Sequence, residues 1–203
     1  MSSIDDLLEN LKSSGVKLDK NVEYAFKSVN IEDFVDYSVE GFWQDKPVTF
    51  MTTMAGAEKN ISAPHMIATL LHHLEIRNGQ HFLLIGSKGG YLAAILDQLL
   101  GINGIVTIIE PHNEVLEHTI DTLEKYNSKG IIRVLSASSM DYFEDFEKPV
   151  DRVLITGAIR EIPEFLEVVL QDGAFVLGPF GGTIQQRLLK REKNSNQWLD
   201  TDL

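Results

Sequence analysis

From residue 80 onward, apolar runs of strand length alternate with segments that carry helical spacing. The runs are HFLLIG (81–86), GIVTIIE (104–110), GIIRVLS (130–136), DRVLITG (151–157) and AFVLGPF (174–180). Between them lie GYLAAILDQLL (90–100), NEVLEHTIDTLEKYNSKG (113–130) and IPEFLEVVLQDG (162–173), the last with Pro163 near its first turn and Gly173 after its end. Strands that are apolar at every position are buried on both faces, and strands joined by helices run parallel. The pattern therefore predicts an α/β chain built on a doubly wound, mostly parallel sheet, with QQRLLKRE (185–192) as a candidate sixth strand. In such sheets a ligand binds beyond the carboxyl ends of the strands, near the point where strand order reverses. That singles out Gly86 to Gly90, Glu110, Ser136 to Ser139 and Thr156 to Ala158.

The first 79 residues are less regular. Ile4, Leu7, Leu8 and Leu11 form one helical stripe behind Ser2 or Ser3 as a cap, and two further short helices are expected in 19–29 and 31–38. The stretch GFWQDKPVTFMTTMAGAEKN (41–60) has no clear period and is expected to be loop. A helix then starts near Ser62, its candidate cap, with Met66, Leu70, Leu71 and Leu74 facing a core. No linker or repeat interrupts the chain. One domain over 1–203 is expected, with 1–60 as an N-terminal helical appendage and substrate-side loop, and 61–203 as the core.

Charge and composition exclude several functions. A formal net charge of -12 repels phosphate backbones, so nucleic acid is not an expected partner. There is no apolar run long enough for a membrane span, and the acidic start lacks a signal-peptide core, so a cytoplasmic protein is expected. The absence of cysteine removes thiolate chemistry. His65, His72 and His73 share one expected helix, but His72 and His73 diverge and His65 lies about 10 Å from His72, so no metal site is expected.

Gly86, Gly89 and Gly90 stand between a strand and a helix, where glycine permits positive φ and close approach of a ligand to backbone. The spacing matches neither the phosphate loop nor G-x-G-x-x-G, and a plain tight turn would carry the same glycines. Glu110 ends the next strand, 24 residues after Gly86, where a carboxylate can accept from both hydroxyls of a ribose. Together they point to an adenosine-containing ligand.

NISAPHM (60–66), FLLIGSKGGYL (82–92), IVTIIEP (105–111), PEFLEVVLQDGAFVLGPFGG (163–182) and QQRLLKRE together resemble the protein-L-isoaspartate O-methyltransferase family. The likeness runs from residue 4 to residue 191, and ISAPHM is its most specific segment. The resemblance implies the fold of S-adenosylmethionine-dependent methyltransferases and methylation of isoaspartyl carboxylates in damaged proteins or peptides. It implies that Ser62 holds the substrate carboxylate and that His65 lies near the cofactor. Gly86, Ser87, Lys88 and Gly90 would approach the methionine portion, Glu110 the ribose, and Ala137 and Ser138 the adenine. Ile61, Gly178, Gly181 and Gly182 would line the peptide groove. An ionised carboxylate is already a nucleophile at pH 7, so catalysis needs alignment and water exclusion more than a base.

The chain departs from the family pattern at four places. Leu84 replaces an acid, Lys88 replaces the middle glycine of the loop, Ala137 replaces the acid that holds adenine, and AEKN (57–60) replaces a Gln-Thr-containing run. The chain also ends, at Leu203, before the family's closing apolar strand would be complete. A second reading follows: a non-catalytic relative that keeps the fold and binds through its groove.

Overall fold

The computed structural model describes residues 3–138, 146, 149–182, 184–195 and 197–203; Ser2 and Ser139 lie outside them. The chain folds as α1 (Ile4–Ser13), α2 (Lys20–Ser28), a short 3-10 turn, α3 (Glu40–Trp43), β1 (Val48–Thr52), β2 (Glu58–Ile61) and α4 (Pro64–Leu74). The regular half follows: β3 (His81–Ile85), α5 (Tyr91–Leu100), β4 (Ile105–Glu110), α6 (Asn113–Lys125), β5 (Ile131–Ser136) and β6 (Val150–Ile155). It closes with α7 (Phe165–Val169), β7 (Leu170–Gly181), β8 (Gln186–Asn194) and β9 (Gln197–Asp202).

Seven strands form one sheet in the order β5-β4-β3-β6-β7-β8-β9. The first five are parallel neighbours, and β8 and β9 continue the edge antiparallel. The central runs are continuous because both faces are covered, whereas the edge strand β5 is only partly buried. Phe82 and Leu84 of β3 join Val106, Ile108 and Leu154 in one core, against α5 and the N-terminal helices. Leu83 joins Ile109, Val153 and Ile155 in the other, against Leu166 of α7. Leu84, where the family carries an acid, is fully buried and sits level with Ile108 and Leu154. Its side chain serves packing.

α1 starts on Ser3, whose hydroxyl accepts from the Asp6 N–H while the Asp6 carboxylate accepts from the Ser3 N–H. Its Leu7, Leu8 and Leu11 enter the same core as the sheet.

Five expectations are corrected. Residues 41–60 are not loop: they hold α3 and the antiparallel hairpin β1–β2, with a bulge between Thr49 and Met51. Strands of five and four residues, one bulged, are too short to show a period. Ser62 does not cap α4. Ala63 is the N-cap, with no side-chain hydrogen bond, because Pro64 holds the first helical position and keeps its predecessor extended. α4 buries Pro64, Ile67, Ala68, Leu71 and Leu74, while Met66 is exposed. The expected helix over 162–173 shrinks to five residues, since Leu170 already pairs with Val150 of β6. The C-terminal residues, read as stopping short of a closing strand, form β9 on the sheet edge.

Candidate active site

Strand order reverses between β4 and β6, on either side of β3, and the carboxyl ends of those three strands open into a cavity of about 500 Å³. Its wall includes Gly86, Lys88, Glu110, His112 and Thr156, together with Phe50, Lys59 and Asn60 from the β1–β2 hairpin.

The loop after β3 is held from three directions. Gly86, Gly89 and Gly90 all have positive φ, at 87°, 72° and 90°. The Thr156 hydroxyl donates toward the carbonyls of Ile85 and Gly86, at 3.2 and 3.1 Å, and leaves no room at Gly86: a Cβ there would lie 2.2 Å from the Thr156 Oγ1. Phe50 closes over Gly89, where a Cβ would lie 2.8 Å from its ring.

Glu110 is the third anchor. Its Oε2 accepts from the Ser87 N–H at 2.7 Å and the Ser87 hydroxyl at 2.8 Å, and its Oε1 accepts from the His112 N–H at 2.9 Å. The sequence suggested an acid that receives a ligand. The structure adds that the same buried carboxylate ties the glycine loop to the end of β4. Oε1 carries one donor and retains acceptor capacity on the cavity side. His112 brings an unsatisfied group, since its Nδ1 is buried in the same wall without a partner among the described residues. A buried polar atom of this kind calls for a partner. Volume, positive-φ backbone, a carboxylate with spare acceptor capacity and an unpartnered imidazole nitrogen fit an adenosine-bearing cofactor.

A second cavity of about 320 Å³ adjoins the first. Ile61, Ser62, Met66, Gln186 and Arg187 line it, and Lys88, Ile155 and Thr156 line both cavities. Lys88 holds a left-handed backbone, φ 49°, which costs a residue with a Cβ. Burial pushes its ammonium below the ordinary lysine range; Glu110 opposes that shift and Lys59 adds to it.

The remaining residues singled out from the sequence lie elsewhere. His65 is in neither wall; its Nδ1 lies 2.9 Å from the Asp45 carboxylate, which also accepts from the His65 N–H at 2.8 Å. Ala137 donates its N–H to the Glu110 carbonyl, and the Ser138 hydroxyl lies 2.8 Å from that of Ser136; neither lines the first cavity. Gly178 permits the close approach of β7 to β6, as a Cβ there would meet the Ile155 carbonyl at 3.1 Å. Gly181 borders a separate concavity with Arg160, Arg187 and Arg191, and Gly182 is exposed beside it. Sequence reasoning missed Phe50, Lys59 and Asn60, which sit in the unread hairpin. It also missed His112, whose one signal was its place two residues after a strand-ending acid.

The model of the protein-L-isoaspartate(D-aspartate) O-methyltransferase family matches residues 2–202. The chain belongs to this family. A protein-L-isoaspartate O-methyltransferase of Methanococcus maripaludis is 31% identical over 91% of this chain and 84% of its own length. One of Pyrobaculum arsenaticum is 28% identical over 94% and 93%. Among solved structures, a protein-L-isoaspartate O-methyltransferase superposes with a TM-score of 0.85 at 20% identity, over 99% of this chain and 63% of its own. A putative member from Plasmodium falciparum, in complex with S-adenosyl-L-homocysteine, superposes at 0.78 and 21% identity over 100% and 95%. At these identities the structures establish a shared fold, that of S-adenosylmethionine-dependent methyltransferases. The non-catalytic reading draws no support from these relatives.

Proposed function

We propose that this chain is an S-adenosylmethionine-dependent protein-L-isoaspartate O-methyltransferase. The observation that carries the reading is the meeting of two cavities at Lys88, Ile155 and Thr156, with Glu110 in one and Ser62 in the other. S-adenosylmethionine, when bound, supplies a sulfonium-activated methyl group. Glu110 and His112 hold the adenosine end in the first cavity, and the backbone of Gly86 faces the methionine end. Ser62 donates to the acceptor carboxylate in the second cavity. Ile61 and Pro179 border the bound peptide. The acceptor arrives ionised, so no side chain has to remove a proton. The chain's work is alignment and exclusion of water by apolar walls such as Ile155 and Leu92.

The test is transfer of a radiolabelled methyl group to an isoaspartyl peptide and to its aspartyl twin. The reading requires label on the first and none above background on the second. Equal labelling, or no labelling of either, would refute it.

A further inference from the structure

We infer that Lys88 holds the acceptor carboxylate of the incoming peptide at the junction of the two cavities. The inference rests on the methyltransferase reading above and names the group that selects its substrate.

Position is the first ground. Three residues line both cavities, and two of them cannot serve: Ile155 is apolar, and the Thr156 hydroxyl is turned onto the carbonyls of Ile85 and Gly86. Lys88 is the charged side chain at the place where donor and acceptor must meet.

The second ground is that Lys88 has no hydrogen-bond or ion-pair partner among the described residues. A half-buried cation with no hydrogen-bonded anion is costly, and its left-handed backbone is a further cost for a residue with a Cβ. An arriving anion would offset the first cost.

The third ground is the charge of the two walls. The second cavity is lined by Lys88 and Arg187 and by no carboxylate among the described residues. Arg187 is already paired with Asp202 at 3.0 Å, which leaves Lys88 as the uncommitted cation. The first cavity carries the Glu110 carboxylate, which disfavours a second anion nearby, and has a cation of its own in Lys59. An anion touching Lys88 is therefore better placed in the second cavity, beside the Ser62 hydroxyl. The peptide's carboxylate fits there.

The experiment compares two labelled peptides, one isoaspartyl and one with the side-chain carboxylate replaced by a carboxamide. Each is titrated with the chain saturated in S-adenosylhomocysteine, and binding is read by anisotropy without turnover. The native chain should bind the acid about tenfold more tightly than the amide, the size of one charge-assisted hydrogen bond. Lys88→Met should level that preference and change S-adenosylhomocysteine affinity by less than it changes acid binding, and Lys88→Arg should restore part of the preference. A preference that survives Lys88→Met overturns the inference. So does a loss confined to S-adenosylhomocysteine, which would assign Lys88 to the cofactor. Should Lys88→Met fail to fold, Lys88→Gly suits the left-handed backbone and must also lose the preference; if it binds the acid more tightly than the native chain, Lys88 is an obstruction and the inference falls. A native chain that methylates the isoaspartyl peptide without preferring acid to amide refutes this inference alone. A native chain that binds S-adenosylhomocysteine but neither binds nor methylates the peptide refutes the proposed function and this inference with it.

Discussion

The two cavities that share Lys88 are built in opposite ways. The wall of the first comes from the ends of parallel strands and is bonded to itself: Glu110 receives three donors, Thr156 clamps Gly86, and Phe50 covers Gly89. The wall of the second adds the start of α4, β7 and β8 to the shared end of β6, and Ser62 and Lys88 in it make no such bonds among the described residues. The contrast teaches a division of labour. A small invariant ligand suits a wall fixed before it arrives, whereas a peptide is held by groups left uncommitted until it binds.

Removing Glu110 should break this contrast most severely. In Glu110→Ala two buried donors of Ser87 and the N–H of His112 lose their acceptor, at about 1.5–3 kcal/mol for each charge-assisted bond. The expected result is a fall in S-adenosylhomocysteine affinity of at least about a hundredfold by calorimetry, with a lowered melting temperature.

Gly86→Ala acts on the same wall through the backbone. The added methyl meets the Thr156 Oγ1 at a position of φ 87°, and a stability loss of about 2 kcal/mol is expected in denaturant titration. Cofactor affinity should fall with it. An unchanged midpoint would mean that the Thr156 clamp holds nothing.

Ser62→Ala should separate the two cavities. Because Ser62 caps no helix, stability should change by less than about 0.5 kcal/mol. Peptide KM should rise about tenfold while S-adenosylhomocysteine affinity stays as it was. A loss of cofactor affinity would place this serine in the wrong cavity.

The smallest effect lies outside both. Burial lowers the pKa of the half-buried His73 below the ordinary histidine value of 6.5; His72, Lys17 and Lys190 act the same way, and Glu75 opposes them. The unfolded chain therefore binds that proton more readily, and stability should decline slightly as pH falls below about 6.5. His73→Gln should flatten that slope in thermal melts at several pH values and leave peptide binding alone.

How much of this was legible in the sequence follows from the same contrast. β3, β4 and β6 were readable because double burial makes most positions apolar, and the glycine loop and Glu110 were readable because they stand at the ends of those runs. The hairpin β1–β2 was not, since nothing in VTFMT or EKNI separates a short bulged strand from loop. β9, QWLDTD, is largely exposed and polar, and its strand conformation comes from pairing with β8. Leu84 was readable as a departure from the family but not as a core residue, because its neighbours Ile108 and Leu154 come from other strands. Lys88 was visible as an oddity; its place between two cavities required the fold of both halves.

The central claim is that the first cavity is a working cofactor site although Leu84, Lys88 and Ala137 depart from the family pattern. Calorimetric titration of the native chain with S-adenosylhomocysteine tests it most directly. The account predicts saturable binding in the micromolar range, about -8 kcal/mol at 1 μM. Absence of heat at millimolar ligand would contradict it.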